Sequence, residues 1–295
     1  MPARAGRKSL LARAAIALVA LLLAAVATVA ALWVTLPDAA HLARETPRTT
    51  ALIEQRRGEA KARRRTLRIH QVWVGLDRVS PRLVEAVLLS EDANFFGHDG
   101  IDWDATRDAA EHDLRAGRFA RGASTITQQL AKNLWLGTEK SLWRKAKEAV
   151  LAEKLERALT KRRILALYLN VAEWGNGTFG IEAGARDRFG TAAGALSTAQ
   201  AVVLASMLPA PRRAELDNPS RWLKHRSRRL LDRMRAAGRI SAEEHRHASA
   251  ELERILAGPA PGDDADEPPE DSPGDAGPLE PAGEPEASLA RPSVQ

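Results

Sequence analysis

Residues Ala14–Leu36 form an unbroken apolar run of 23 residues with no charged side chain. A bilayer core needs roughly 20 apolar residues in a helix to cross it, so this run commits the front of the chain to a single-pass transmembrane anchor. Arg4, Arg7, Lys8 and Arg13 precede the run. Basic flanks stay on the cytoplasmic side, so the rest of the chain is expected to face outwards. Trp33 lies near the far end, where an amphipathic ring fits the interface. A cleavable signal has an apolar region of only about 7–15 residues. The length therefore argues for a retained anchor, while the alanine-rich stretch Ala27–Ala31 leaves cleavage open.

Behind a basic N-terminus (1–13) and the anchor (14–36), residues 37–67 read as a polar connector with a basic cluster at Arg63, Arg64 and Arg65. It is either a solvated linker helix or a segment lying against anionic headgroups. The globular part spans 68–257. A β-like piece, Gln71–Val74, opens it. Ser80 and Pro81 then read as an N-cap and a first-turn proline. The apolar helix that follows delivers Ser90, Glu91 and Asp92. From 104 to 257 helical periodicity dominates, so a mainly α fold is expected. The stretch 220–236 carries Arg221, Lys224, Arg226, Arg228, Arg229, Arg233 and Arg235 beside Trp222, Leu223, Leu230 and Met234. It reads either as a basic amphipathic helix at a membrane surface or as a solvated helix packed by its apolar side. In 258–295 ten acidic residues face one arginine among many prolines and glycines. Such a composition cannot offset its ordering entropy, and a disordered tail is expected. The formal net charge of +6 favours anionic partners, and the lack of cysteine excludes disulfides and thiol chemistry.

Four segments hold polar residues that a plain core helix does not need. In the first, Glu91 and Asp92 meet Phe95 and Phe96, with His98, Asp99, Gly100 and Asp102 following. Apolar neighbours raise a carboxylate pKa, which is useful for acid–base work. Helix-end acids beside a core aromatic pair are the plainer reading. The second is Arg121–Asn133. There Ser124 or Thr125 caps a helix, and Thr125, Gln129 and Lys132 share a face suited to phosphate oxygens. The third is Lys140–Glu148, where Arg144 and Glu148 are neighbours at i,i+4 with Lys145 and Lys147 beside them. The fourth runs from Lys161 to Asn170 and on through Glu173–Ala185, and reads as tight packing. No P-loop, dinucleotide fingerprint or paired-histidine zinc helix is present.

In this order, the four segments resemble the family of peptidoglycan glycosyltransferases, whose domain also fronts the class A penicillin-binding proteins. The pieces that carry the resemblance are Glu91-Asp92-Ala93-Asn94-Phe95 with His98-Asp99-Gly100, Gly122–Leu130, Arg144–Glu148, Tyr168-Leu169-Asn170 and Ala199–Pro209. They span Val72–Pro219. The chain looks like the monofunctional, biosynthetic transglycosylase form without a transpeptidase domain. It departs from the bifunctional relatives at Ala166, where those usually have glutamate.

The resemblance implies a lysozyme-like, mainly helical domain, with a membrane-touching jaw at about 104–120. It also implies polymerisation of lipid II into β-1,4-linked glycan strands by inverting transfer, with release of undecaprenyl pyrophosphate. Catalytic roles carry over to Glu91, the base, and to Glu148. Substrate-binding roles carry over to Asp92, Phe95, His98, Ser124, Thr125, Gln128, Gln129, Lys132, Asn133, Arg144 and Lys145. Glu148 either orients the basic cluster or holds a divalent metal (Mg2+ or Mn2+); no cofactor is required. The implied partners are lipid II, the growing strand, the membrane and other cell-wall synthesis or division proteins; nucleic acid is not among them. A lytic transglycosylase or muramidase on a similar fold is the rival activity, and a silent membrane-tethered scaffold the rival of another class. The cationic second and third segments favour synthesis.

Overall fold

A computed structural model describes residues 3–116, 124–138 and 141–257. The acidic stretch 258–295, the far end of the implied jaw (117–120), Arg121–Ala123 of the second segment and Lys140 of the third lie outside the described residues. The first helix, α1 (Ala3–Thr35), contains the apolar run except for its last residue, Leu36; Arg13–Thr35 is long and apolar enough to cross a membrane. Its far end is seated on the domain. Leu32 is buried, and the Trp33 ring lies 5.4 Å from Lys154 Nζ and 5.0 Å from the Arg157 guanidinium. Lys154 Nζ donates to the Leu36 carbonyl at 2.7 Å and to that of Pro37 at 3.2 Å. Carbonyls at a helix end lack intrahelical partners, and here a lysine of the domain satisfies two of those that follow α1.

The stretch 37–67 is not a free linker. Leu42, in a short 3-10 turn (Ala40–Ala43), enters the main core. Leu52 and Ile53 of α2 (Ala51–Ala62) pack with Phe179. Arg56 donates to the buried Glu173 at 2.8 Å, and Gln55 bonds both the amide and the hydroxyl of Thr138. A few apolar residues and long-range polar bonds are enough to dock a segment whose composition reads as solvated.

The body is mainly α, as expected. After β1 (His70–Gln71) come α3 (Pro81–Glu91), α4 (Trp103–Ala116), α5 (Ile126–Ala131) and a π-helical turn (Lys132–Leu136). Then follow α6 (Leu142–Ala158), α7 (Lys161–Val171), β2 (Glu173–Gly175), β3 (Thr178–Phe179) and α8 (Ile181–Phe189). The described part closes with α9 (Thr198–Met207), α10 (Arg221–Ala236) and α11 (Ala242–Ile255). The single small sheet has the order β1-β3-β2, with β1 parallel and β2 antiparallel to β3, and pairs His70 with Thr178. Its first strand begins one residue before the Gln71–Val74 segment suggests and ends at Gln71.

Helix α9 is the centre of the core. It is apolar on every side and buried from Ala199 to Met207 but for Gln200, as suits a helix enclosed by others. A capping box starts it: Ser197 accepts the Gln200 amide while Gln200 accepts that of Ser197. α3, α10 and α11 pack around it. Ser80 stands at the N-cap of α3 with Pro81 at the first position, but its hydroxyl donates across to the Leu196 carbonyl at 3.2 Å instead of capping its own helix. The glycine-rich fourth segment is tight packing, as read. Gly180, at φ +80°, lies where a Cβ would come within 3.0 Å of two backbone carbonyls. A Cβ at Gly184 would meet Trp174 Cβ at 2.7 Å.

Asn170 joins the halves of this body. Its amide oxygen accepts the Val74 amide at 2.9 Å, and its Nδ2 donates to the carbonyls of Val74 at 2.9 Å and Ala166 at 2.8 Å. Asn170→Ala leaves both Val74 groups without a partner, each costing about 1–3 kcal/mol. We expect a loss of about 2–4 kcal/mol in denaturant unfolding of the full chain; an unchanged midpoint would remove this bridge from the account.

Candidate active site

Two adjacent carboxylates leave the end of α3 and take different partners. Asp92 is buried; its Oδ2 accepts the Ile126 amide at 2.9 Å, and its oxygens lie 3.0 and 3.1 Å from His98 Nε2. Burial is the foremost influence on it and raises its pKa, while the Ile126 amide, His98 and the charge of Lys161 act the other way. Ile126 is the first residue of α5, so Asp92 ties the end of α3 to the start of α5.

Glu91 is held on both oxygens, and its side chain is 4 % exposed. Oε2 accepts from Gln129 Nε2 at 3.0 Å. Oε1 accepts from Ser90 Oγ at 3.0 Å and from the Arg226 guanidinium at 3.3 Å; Arg226 also donates to Ser90 Oγ at 2.9 Å. The Tyr168 hydroxyl donates to Gln129 Oε1 at 3.0 Å. Burial, and after it the charges of Glu91 and Asp92, push the Tyr168 pKa well above its ordinary value. Tyr168 therefore keeps its proton and turns the Gln129 amide so that its NH2 faces Glu91.

Arg226 is the residue that sequence reasoning missed. It lies on α10, within the stretch read as a basic amphipathic helix, which the structure packs against α3, α9 and α11. Its guanidinium sits 5.9 Å from the Trp222 ring. A signal existed: Arg226 falls four residues after Trp222 and four before Leu230, on the apolar stripe, where a solvated cation does not belong.

The second segment builds the opposite wall. Thr125 caps α5 in a capping box. Its Oγ1 accepts the Gln128 amide at 3.2 Å and donates to the Gly100 carbonyl at 2.6 Å, and Gln128 Oε1 accepts the Thr125 amide at 3.0 Å. The Thr125 hydroxyl and the Gln128 carbonyl are thus committed to holding α5. The helix then widens into the π turn, a feature frequent at functional sites, which begins with Lys132 and the buried Asn133. Among the described residues Lys132 forms no ion pair. Burial lowers its pKa most; Arg144 and Lys145 act the same way, while Glu148 and Glu91 oppose. Lys132 therefore feels both glutamates at once.

The third segment opens α6. Ser141 caps it by accepting the Arg144 amide at 3.0 Å. Glu148 is 2 % exposed and takes Arg144 on one oxygen at 2.7 Å and Lys145 on the other at 2.5 Å; Lys145 also donates to Ser124 Oγ at 2.7 Å. This is no solvated surface pair. Two cations in the first turn of a helix oppose its dipole, which makes the place attractive to anions.

Glu91, Gln129, Lys132, Arg144, Lys145, Glu148 and Ser124 are thus linked by hydrogen bonds or charge. Asp92, His98, Thr125, Gln128 and Phe95 form a layer behind them. Phe95 is buried with Lys161 Nζ 4.6 Å from its ring centre, whereas Phe96 is exposed. Asp92, His98 and Asp102 bring one ligand atom each within 4.8 Å of one another. Asp102 already accepts from the Ala105 amide at 2.8 Å and from Asn94 at 3.2 Å. Trp103 and Leu114 of α4, in the implied jaw, are exposed apolar side chains.

The sequence model of the transglycosylase family matches residues 34–235. A protein of Aromatoleum aromaticum named a biosynthetic peptidoglycan transglycosylase is 47% identical over 188 residues, covering 64% of this chain and 81% of that protein. Proteins of the same name from Methylobacillus flagellatus and Nitrosospira multiformis are 49% and 41% identical, over 57% and 65% of this chain and 73% and 83% of their own.

The raised pKa of Asp92 has a consequence for stability. Its native state holds a proton more readily than the unfolded chain, so its contribution is full below the ordinary Asp value near 3.9 and is lost as pH rises through the raised native value. Asp92→Asn removes this titration. We expect the stability of the wild type minus that of Asp92→Asn to fall from acid towards neutral pH. A difference that grows with pH in denaturant titrations would contradict the buried-carboxylate account.

Proposed function

The chain belongs to the transglycosylase family, and from that premise we propose that it polymerises lipid II into β-1,4-linked peptidoglycan glycan strands, with Glu91 as the catalytic base. One observation supports this most. A carboxylate fixed by Gln129 and Arg226 and a cluster of cations around Glu148 both act on a single unpaired cation, Lys132. That is a base at one end of a site and a cradle for departing negative charge at the other.

The chemistry is the one the family implies, fitted to this placement. Glu91 takes the proton of the acceptor sugar 4-hydroxyl as that oxygen attacks the donor anomeric carbon. The bond from that carbon to the pyrophosphate breaks, the electron pair leaves with the undecaprenyl pyrophosphate, and the configuration inverts from α to β. Lys132, Arg144 and Lys145 meet the charge that accumulates on the leaving oxygens. A hydrolase acting on finished glycan has no pyrophosphate to receive, so this cluster supports synthesis over cleavage. Gln129, Ser90 and Arg226 keep the base in one orientation, and Tyr168 keeps Gln129 in its own.

Both oxygens of Glu148 are occupied by Arg144 and Lys145. This donor set suits the orienting role better than metal ligation, and no step is assigned to an ion. The α1 span supports a location in the inner membrane with the domain on its outer face, where lipid II and the growing strand are reached.

Glu91→Gln keeps the shape of the side chain and loses the base. We expect lipid II binding to persist while polymerisation falls by about a hundredfold or more; full activity in a glycan-chain gel assay would sink the assignment. A second pair of variants separates the two ends of the site. Lys132→Ala should raise the donor KM by about tenfold through loss of a charge-assisted contact. Arg226→Gln should mainly lower kcat, by about tenfold or more, because the base is less firmly held. Kinetics in which Lys132→Ala leaves both constants unchanged, or Arg226→Gln affects KM alone, would reverse these roles.

A further inference from the structure

The basic cluster at Arg63–Arg65 takes no part in the site described above. It ends α2, and the chain there turns back through a helix-terminating motif: the Arg64 amide donates to the Lys61 carbonyl at 3.0 Å and the Arg65 amide to that of Ala60 at 2.9 Å. The motif requires a left-handed residue at Arg64, and Arg64 is the only non-glycine among the described residues with positive φ, at 53°. Elsewhere the chain meets the same demand with glycine. The end of α10 has the identical pair of bonds around Gly238, at φ +66°. An arginine held where the backbone favours glycine is strained, and such strain persists at places with a function.

The side chains indicate what that function is. Arg57, Lys61, Arg64, Arg65, Thr66 and Leu67 line a hollow of about 360 Å³ that contains no acidic residue. Arg57 pairs with Glu54. Lys61, Arg64 and Arg65 have no acidic partner among the described residues. The hollow is open and its cations are exposed, but the backbone on either side is held in place. On one side Arg56 of α2 is anchored to the buried Glu173. On the other the 67–70 segment is fixed to the sheet, where the His70 amide donates to the Gly177 carbonyl at 2.9 Å and a Cβ at Gly177 would meet the Arg68 carbonyl at 2.5 Å.

We propose that this hollow binds the phosphate group of an anionic phospholipid headgroup. Three exposed cations with no acidic partner among the described residues are gathered at one hollow and repel each other until an anion enters, and guanidinium forks match phosphate oxygens in geometry and charge. Thr66 adds a neutral donor. Leu67 and Ala60 give the hollow an apolar wall, which suits a phosphate ester with an organic portion better than free phosphate. The membrane is the source the molecule itself indicates, because α1 is long and apolar enough to span one and its end is bonded to the domain through Lys154.

The strain at Arg64 allows a test in which binding and folding move in opposite directions. The detergent-solubilised full chain is titrated with phosphatidylglycerol, with zwitterionic phosphatidylcholine and with glycerol 3-phosphate, and adducts are counted by native mass spectrometry. We expect phosphatidylglycerol to be retained best. Arg64→Gly should weaken that retention by about tenfold while the thermal midpoint holds or rises by about 2–4 °C. Arg65→Gln, which leaves the backbone turn as it is, should weaken retention similarly. Wild-type retention in both variants would overturn the site. Equal retention of phosphatidylcholine would overturn selection for an anionic headgroup, and equal retention of glycerol 3-phosphate would overturn the membrane as the source.

Discussion

A carboxylate removed from water is costly unless donors and positive charge meet it. Asp92 is in that position at the junction of α3 and α5, and its partners are the first amide of α5 and His98 from the loop between them. Letting go of either leaves charge stranded in the interior, so the end of one helix and the start of the next are locked together. The consequence is geometric. Gln129 lies about one helical turn beyond Ile126, and Glu91 immediately precedes Asp92. Fixing the Asp92–Ile126 contact therefore brings Gln129 to Glu91 at 3.0 Å. Glu91, the base we propose, thus inherits its position from its neighbour Asp92.

The same contact orders the electrostatics. α5 runs into the π turn that carries Lys132, and α6 brings Arg144 and Lys145 to Glu148. Glu148 neutralises part of a cluster that would otherwise repel itself, and by occupying both oxygens it keeps the two cations in fixed places. Lys132 has no such partner among the described residues, which suits the ligand-binding role proposed for it. A site with a fixed base, a fixed pair of cations and one unpaired cation between them meets developing charge without rearranging, which is the condition under which preorganised groups contribute most to catalysis.

Local patterns were readable before the structure, and long-range pairings were not. The helical body followed from periodicity, and the i,i+4 spacing of Arg144 and Glu148 announced their contact, although not that Glu148 would be buried. The cap at Thr125 is legible too, but not that Gln128 Oε1 closes a capping box with it, because nothing in the order of residues says which side of an amide turns to the helix end. Arg226 escaped because its partner Glu91 lies 135 residues upstream and six other basic residues share its helix. The docking of 37–67 escaped for a similar reason. Four apolar side chains (Ala39, Leu42, Leu52 and Ile53) and the Arg56–Glu173 pair, 117 residues apart, hold a segment whose average composition reads as solvent-exposed.

Helix α6 connects these matters to the membrane. Its first turn carries Arg144 and Lys145, and Lys154 on the same helix bonds the carbonyls just beyond the anchor. Ten residues of α-helix separate Arg144 from Lys154, about 15 Å at 1.5 Å per residue. A rigid helix of that length sets how far the cation cluster stands from the point where α1 meets the domain, and Trp33 between Lys154 and Arg157 stiffens the joint. A substrate whose pyrophosphate is tethered to a lipid presents that group at a height fixed by the bilayer. Cations meant to receive it work best at a fixed height as well. The Lys154 clamp between the end of α1 and α6 holds that distance constant in this chain.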